Sequence, residues 1–352
     1  MQVLNYYMGK NNSSTGEIMG ATVLVGGFFG DEGKGKVAAY LAFKDNYKIA
    51  VRTGSINAGH TLVNEGKEIK LRIVPCAFVN PKTRLLVAAG ALYSIETLIR
   101  EVEMTGVKGR IGVDANSGVI LPEHIERERK DEFLMKKVGS TGSGVGTAMV
   151  DRTLRLLRLA RDFDELKPYL TDAAGEVHSC LESGGGVLLE GTQGSYLSLY
   201  HGTYPYVTSR DVTASGVCSE VGVGPKDVDE VVVVFKAYVT RVGGGPLEGE
   251  LPEEEAARKG WMEIATVTGR RRRAAPFNFD LAKRAIRINS GTQIALTKLD
   301  AIFPECRGVS DLNKLPTNAK KFVEDIETRL GVPVSIIGTG PGTLDVVDRR
   351  RE

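Results

Sequence analysis

Seven consecutive residues, Gly30-Asp31-Glu32-Gly33-Lys34-Gly35-Lys36, bring three glycines, two lysines and two carboxylates into one short stretch. The run follows the apolar segment Ala21–Val25 and precedes Val37, Ala38, Leu41 and Ala42 at helical spacing, so it reads as the loop between a buried strand and a helix. In such a loop glycines let successive backbone N–H groups turn toward one anion. The helix N-terminus adds partial positive charge, and Lys supplies a mobile cation. The chemistry is polyphosphate binding. Gly30 and Gly35-Lys36 keep the spacing of GxxxxGK[ST], but Val37 stands where the magnesium-binding hydroxyl would be. Asp31 is the natural replacement ligand, because a carboxylate inside a phosphate loop makes sense mainly beside a cation.

Further segments offer other chemistry. In Asn57-Ala58-Gly59-His60-Thr61, with Arg52 upstream, the imidazole can protonate a developing oxyanion while the Gly59 carbonyl binds a metal; a single histidine can equally be structural. Of the other histidines, His124 reads as solvated on a charged helix, His178 sits in a loop-like stretch, and His201 opens the string HGTYPYVT. Ser140–Gly146 is a second glycine-rich loop, a plain turn or an anion site on its residues alone. Glu190-Gly191-Thr192-Gln193-Gly194 closes a strand. Thr266–Arg273 places four guanidiniums after a hydroxyl-rich turn, and arginine forks suit dicarboxylates and phosphates. A basic run is also the pattern of nucleic-acid segments, but no basic stripe continues this one, so no nucleic-acid partner is expected. Thr297-Lys298-Leu299-Asp300 is similar to the guanine-recognition TKxD of GTPases, and Gly338-Thr339-Gly340-Pro341 would complete the nucleotide pocket.

These groups need a frame. The 352 residues are 42% hydrophobic and 26% charged, enough for a sizeable core and unlike a disordered or fibrous chain. With 46 Lys+Arg against 44 Asp+Glu there is no global field toward nucleic acid or membrane, and 42 glycines, well above the ~7% norm, suggest many ligand loops. Four scattered cysteines without a CxxC pair suggest neither zinc nor disulfides, and point to a cytoplasmic setting. The uncharged stretch Ile18–Gly30, 13 residues, is too short to span a bilayer. Residues 1–19 read as a flexible lead-in, with Met19 a possible start. Strands are predicted at Ala21–Val25, Lys48–Val51, Leu85–Ala88, Arg110–Val113, Val187–Glu190, Val231–Phe235, Ile294–Thr297 and Val334–Ile337. Helices are predicted at Ile95–Met104, Pro122–Lys137, Phe163–Tyr169 and Lys320–Leu330. The alternation predicts an α/β fold over residues 20–352: a single large P-loop-like domain around a mostly parallel sheet, with helical and loop insertions.

GDEGKGK, NAGHT, HGTYPYVT and the arginine loop together resemble the adenylosuccinate synthetase family, GTP-dependent ligases that join IMP and aspartate in AMP synthesis. Matches run from Ala21 to Pro341, in the compact form known from archaea. The resemblance implies Asp31, His60 and Lys34 as catalytic residues, and Mg²⁺ as cofactor held by Asp31 and Gly59. It implies GTP contacts from Gly30, Glu32, Gly33, Gly35, Lys36, Thr61, Arg272, Lys298, Leu299, Asp300, Gly338, Thr339 and Gly340. IMP would meet Asp31, Lys34, Asn57, Ala58, His60, Thr141, Gln193, Thr208 and Arg270, together with Arg155 reaching across a homodimer interface. Aspartate would meet Thr266, Val267, Thr268, Gly269, Arg270 and Arg272. The implied reaction phosphorylates the 6-oxygen of IMP before the aspartate amine displaces it. Two departures stand out: Phe28-Phe29 where the family usually has Gln-Trp, and Thr147 where it usually has Pro. A viral relative that accepts dGMP typically lacks the loop aspartate, so Asp31 favours IMP; a non-catalytic GTP-binding protein would leave His60 and the arginine loop unexplained.

Overall fold

The computed structural model describes residues 20–264 and 269–350. The expected lead-in 1–19, and Thr266, Val267 and Thr268 of the arginine loop, lie outside the described residues. A ten-stranded sheet forms the frame. Its strands are β1 (Gly20–Gly26), β2 (Ile49–Arg52), β3 (Arg84–Val87), β4 (Ile111–Asp114), β5 (Leu170–Thr171), β6 (Gly186–Glu190), β7 (Val228–Lys236), β8 (Gln293–Thr297), β9 (Val334–Gly338) and β10 (Val346–Asp348). They lie in the order β10-β9-β8-β7-β1-β6-β2-β3-β4-β5, parallel throughout except for the edge pair β9–β10.

All eight predicted strands are in this sheet, because strands covered on both faces read as continuous apolar runs. Alternate side chains supply the two faces. Val23, Val25, Val233 and Phe235 join one core, and Leu24, Val232 and Val234 join the other. The covering helices are α1 (Lys34–Asp45), α2 (Ile95–Thr105), α3 (Pro122–Lys130), α4 (Val145–Leu154), α5 (Ala173–Glu182), α6 (Ala214–Val221), α7 (Glu253–Arg258), α8 (Phe279–Asn289) and α9 (Thr317–Leu330). α1, α2 and α4 pack on the Leu24 face, whereas α5, α6, α8 and α9 pack on the Val23 face.

Four readings of helices and of the histidines near them need correction. The segment Pro122–Lys137 is not one helix: α3 stops at Lys130, where Asp131 turns extended and its Oδ1 accepts the Leu134 N–H at 2.9 Å, starting a separate π-helical turn, Phe133–Val138. His124 is buried, not solvated; its Nδ1 accepts the Leu121 N–H at 2.8 Å and its Nε2 meets Asp151 Oδ2 at 3.0 Å. His178 lies within α5, whose N-terminus Asp172 caps by accepting the Gly175 N–H at 2.9 Å. Phe163–Tyr169 is realised as a 3₁₀ turn over Asp164–Tyr169.

The parallel order sends the loops after β1, β2, β6, β7, β8 and β9 to one edge of the sheet. The chain's progress reverses at β1, which has β6 on one side and β7 on the other, and the crevice at such a switch point is where open α/β sheets bind ligands. One of these loops, after β2, leads into a hairpin, His60–Asn64 with Lys67–Leu71, that carries His60. The buried carboxylate of Glu101 on α2 pins the chain leaving it: Oε1 accepts from Arg72 N–H at 2.7 Å, and Oε2 from Ile73 and Val74 N–H at 3.0 Å each. Glu101→Ala strands these donors and should cost about 2–5 kcal/mol. A urea unfolding midpoint equal to that of the unsubstituted chain would contradict this role.

Candidate active site

A cleft of ≈ 1430 Å³ opens at the carboxyl edge, walled by the loop after β1, by Asn57–Thr61, and by parts of the loops after β6, β8 and β9. The β1 loop is built around Glu32. Its buried carboxylate accepts the N–H groups of Phe28 (3.0 Å) and Gly30 (2.8 Å) on Oε1 and the Lys34 ammonium (2.6 Å) on Oε2. Thr297, ending β8, donates its hydroxyl to the Glu32 carbonyl at 2.6 Å. Gly33 starts α1 at φ +92°, a left-handed conformation, so the sharp turn onto the helix requires glycine. A side chain at Gly35 would come within 2.7 Å of His60 Cβ, so that glycine lets the His60 hairpin press against the helix N-terminus.

Asp31 and Lys36 are placed differently from one another. The Asp31 carboxylate lies on the cleft wall with Oδ2 3.0 Å from Arg272 Nε, and burial raises its affinity for a proton against the pull of Arg272, Lys236 and Lys34. Lys36 turns its ammonium to the carbonyls of Gly340 (2.6 Å) and Asp345 (2.8 Å), and burial lowers its pKa to about 8. It thus fastens the loop after β9 to α1.

His60 sits in a buried charge cluster. Its Nδ1 is 2.6 Å from Glu190 Oε1, the last residue of β6. Arg52, the last residue of β2, donates from Nη1 to the same oxygen at 2.8 Å, and Cys76 N–H donates to Glu190 Oε2 at 2.7 Å. Burial and the neighbouring Arg52 push the His60 pKa down to about 3, against the opposing effect of Glu190, whose own carboxyl is held low by Arg52 and His60. A neutral ring this close to a carboxylate carries its proton on Nδ1, which leaves Nε2, buried and without a hydrogen-bond partner, as the free atom. His60, Cys76 and Glu190 are close enough together to suggest a metal site. Arg52 Nη1 fills that position, 3.1 Å from His60 Nδ1 and 3.7 Å from Cys76 Sγ, so the cluster is neutralised by a guanidinium.

On the loop after β6, which packs directly against Gly30, Gln193 donates from Nε2 to Asn57 Oδ1 at 3.0 Å, and Asn57 Nδ2 approaches Thr208 Oγ1 at 3.4 Å, so three predicted IMP residues form one chain on the cleft wall. Thr141 also lines the cleft, its hydroxyl 2.8 Å from that of Ser143. Beneath that loop the buried Glu128 accepts from the Ser140 hydroxyl and from Gly146 N–H. Arg270 donates to the carbonyls of Gly139 and Ser140, both at 2.8 Å, joining the arginine loop to the Thr141 loop. Ala58, Gly59, Thr61, Gly269, Arg272, Lys298 and Gly340 are on the wall as well. Others are not. Leu299 is wholly buried in the core, Thr339 is buried with its hydroxyl on Val309 O, Gly338 ends β9, and Asp300 keeps a buried Oδ1 without a partner. Arg155 is exposed, outside the cleft, with Nη1 on Thr153 O.

The adenylosuccinate synthetase family model matches residues 23–161 and 156–304. The adenylosuccinate synthetase of Pyrococcus sp. (strain ST700) is 50% identical over 336 residues, 94% of this chain and 99% of that one. That of Methanocaldococcus jannaschii is 50% identical over 339 residues, 95% and 98%. The chain belongs to the adenylosuccinate synthetase family. It is a ligase that forms a C–N bond, joining IMP and L-aspartate at the expense of GTP in AMP synthesis. Among solved structures, fully ligated adenylosuccinate synthetase from Plasmodium falciparum shares the fold at TM-score 0.84 and 24% identity, over 93% of this chain and 99% of that one. Succinoaminodeoxyadenylate synthetase of cyanophage S-2L, bound to dGMP and to dATP as energy donor, aligns at TM-score 0.78 and 27% identity, over 96% and 97%.

Sequence reasoning about the synthetase site missed Arg52 and Glu190 as partners of His60, and also Lys236 and Glu128. A signal was present for three of them. Ile-Ala-Val-Arg52, Val-Leu-Leu-Glu190 and Val-Val-Phe-Lys236 each end an apolar strand on a charge, and those charges are 0%, 0% and 1% exposed. Two outcomes follow. Nitrogen-15 spectra of the free enzyme at neutral pH should show His60 as the neutral Nδ1–H tautomer with no titration between pH 5 and 8; a titration in that range would refute the placement. Glu190→Gln removes the charge that balances a protonated ring and should lower kcat by about 10²-fold, with unchanged kcat the contrary result.

Proposed function

We propose that the ligation proceeds in two steps across this cleft, with Asp31 and His60 on either side of the purine. The GTP phosphates lie on the N–H groups of Gly30–Lys36 at the start of α1, with Lys34 beside the γ-phosphoryl group. IMP lies along Asn57, Gln193 and Thr208, its phosphate toward Thr141, and aspartate takes the Thr266–Arg272 loop. Asp31 accepts the N1 proton of IMP, and charge moves to O6, which attacks the γ-phosphorus as GDP leaves. The amine of aspartate then adds at C6, and phosphate departs with the former O6.

The observation that carries this reading is the pair of opposed environments. Burial makes Asp31 a better proton acceptor than an ordinary carboxylate, as a base for a weakly acidic N–H needs to be. His60 rests neutral among its protein neighbours, but an anion at Nε2 favours its protonation, and Glu190 then balances the imidazolium. A hard cation suits oxygen donors: Asp31 and Gly59 both line this cleft, and the Asp31 carboxylate with the Gly59 carbonyl would hold Mg²⁺, which would supply charge to offset that of the transferring phosphoryl group. Lys298 and Asp300 would read guanine, with the unpartnered Asp300 Oδ1 as acceptor.

The assignment extends to a homodimer. Arg155 stands at the end of α4 beside exposed Val150, Leu154 and Leu156, an apolar face next to the cleft that suits a second copy, into whose IMP site Arg155 would reach. Among the described residues no helix is long and apolar enough to cross a membrane, and the four cysteines are free thiols, in keeping with work in the cytoplasm.

A coupled assay with GTP, Mg²⁺ and aspartate should give ligation and phosphate release with IMP and not with dGMP. GTP hydrolysis without ligation, or activity with dGMP alone, would overturn the reading. Asp31→Asn and His60→Asn should each lower kcat by about 10²–10⁴-fold with the fold retained. Equal mixing of inactive Asp31→Asn and Arg155→Ala chains should restore roughly a quarter of full activity, since half the dimers then hold one intact shared site. No recovery after subunit exchange would rule out the shared site.

A further inference from the structure

Four side chains of alternating charge run inward from the cleft wall: Asp31, Arg272, Glu263 and Lys236. Arg272 Nε is 3.0 Å from Asp31 Oδ2, Arg272 Nη1 pairs with Glu263 Oε2, and Lys236 Nζ donates to that same Glu263 oxygen at 2.9 Å. Lys236 is 1% exposed, so its charge cannot be relieved by water; it is also held by Thr240 Oγ1 at 2.6 Å. The other Glu263 oxygen accepts from the Tyr238 hydroxyl, and Tyr238 is fixed by stacking on Trp261 with ring centres 4.7 Å apart. Lys298 Nζ, half-exposed, approaches that oxygen at 3.8 Å. Main chain adds one more tie, Arg272 N–H to the Glu263 carbonyl at 2.9 Å.

We propose that Glu263 is a positioning residue for aspartate recognition: its carboxylate, gripped by Lys236 and Tyr238, holds the Arg272 guanidinium in place and links it to Lys298 on the guanine side. This rests on the assignment of Arg272 to aspartate and GTP above. A guanidinium recognises a carboxylate through a planar fork, so its orientation matters as much as its charge. Nη1 on Glu263 is the hydrogen bond that sets the guanidinium, whereas Nε, 3.0 Å from Asp31 Oδ2, has charge attraction there but no hydrogen-bond partner, so its orientation rests on Glu263. Without the Glu263 charge, two cations, Arg272 and the buried Lys236, would face each other with only Asp31 to compensate, and Arg272 would lose its inner anchor. Against the effect of burial, the three cations Lys236, Arg272 and Lys298, with the Tyr238 hydroxyl, keep the Glu263 carboxyl well below the usual range, so the anchor is charged at every working pH.

Steady-state kinetics of Glu263→Gln, with each substrate varied at saturating levels of the others, test this. The KM for aspartate should rise about tenfold or more and that for GTP severalfold, while the KM for IMP and kcat change less than about threefold. Glu263→Asp should recover part of the aspartate affinity. If Glu263→Gln is too unstable to assay, Tyr238→Phe, which removes one grip on Glu263, should raise the aspartate KM by about two- to fivefold. Equal rises in all three KM values, or a fall in kcat alone, would make Glu263 a merely structural residue and overturn the proposal. Arg272→Ala separates the two levels. An unchanged aspartate KM in that variant would remove the Arg272 assignment and this inference with it; a raised KM there, with Glu263→Gln unaffected, would remove this inference alone.

Discussion

Charge buried at the carboxyl edge of the sheet is the constraint on which the site depends. Arg52, Glu190 and Lys236 end central strands and have almost no contact with solvent, so each must find its counterion within the protein. Two cores on either side of the sheet hold the strands rigid, and the counterions are placed to match: Glu190 lies between Arg52 and His60, and Glu263 between Lys236 and Arg272. The cost of burying these ions is offset only while geometry is kept, so the same pairs that permit folding also fix His60 and Arg272, the groups proposed to act on the substrates. His60 owes its tautomer to Glu190, and Arg272 owes its placement to Glu263 and Asp31.

The phosphate loop follows the same logic in miniature. Glu32 looks by type like a group that would repel a nucleotide, yet it faces into the loop and spends both oxygens on loop N–H groups and Lys34. The outward surface is thereby left to Asp31 and to backbone donors. Lys36, by type a phosphate ligand, instead joins α1 to the loop after β9. Type and spacing foretell that a residue belongs to the site; which way it turns depends on partners remote in sequence.

That distinction marks how far the sequence was readable. Eight central strands and the phosphate loop were legible because apolar runs and glycine spacing are local signals. The short edge strands β5 and β10 were not, having too few residues to show a pattern, and the His60 hairpin was hidden by Lys67, Glu68 and Lys70 on its outer face. His124 was misread because its partner Asp151 lies on another helix. Glu190 stood inside a quoted motif whose glutamine drew the attention, and its role depends on Arg52 and Cys76, far away along the chain. The family resemblance supplied residue roles that composition and periodicity could not.

The first helix of the fold is stitched along its length to the last described residues. Lys36 bonds the carbonyls of Gly340 and Asp345, Tyr40 bonds Asp348, and Asp45 at its far end pairs with Arg350, contacts that span 304 to 309 positions of sequence. A ribosome therefore releases the phosphate loop and α1 long before the segment that fastens them exists. The nascent chain can pair β1 with β6 and β7 as these emerge, but the contacts that fasten α1 beside the cleft form only after synthesis has passed residue 350, so a stalled or prematurely ended product would be born with this wall of the cleft unfinished.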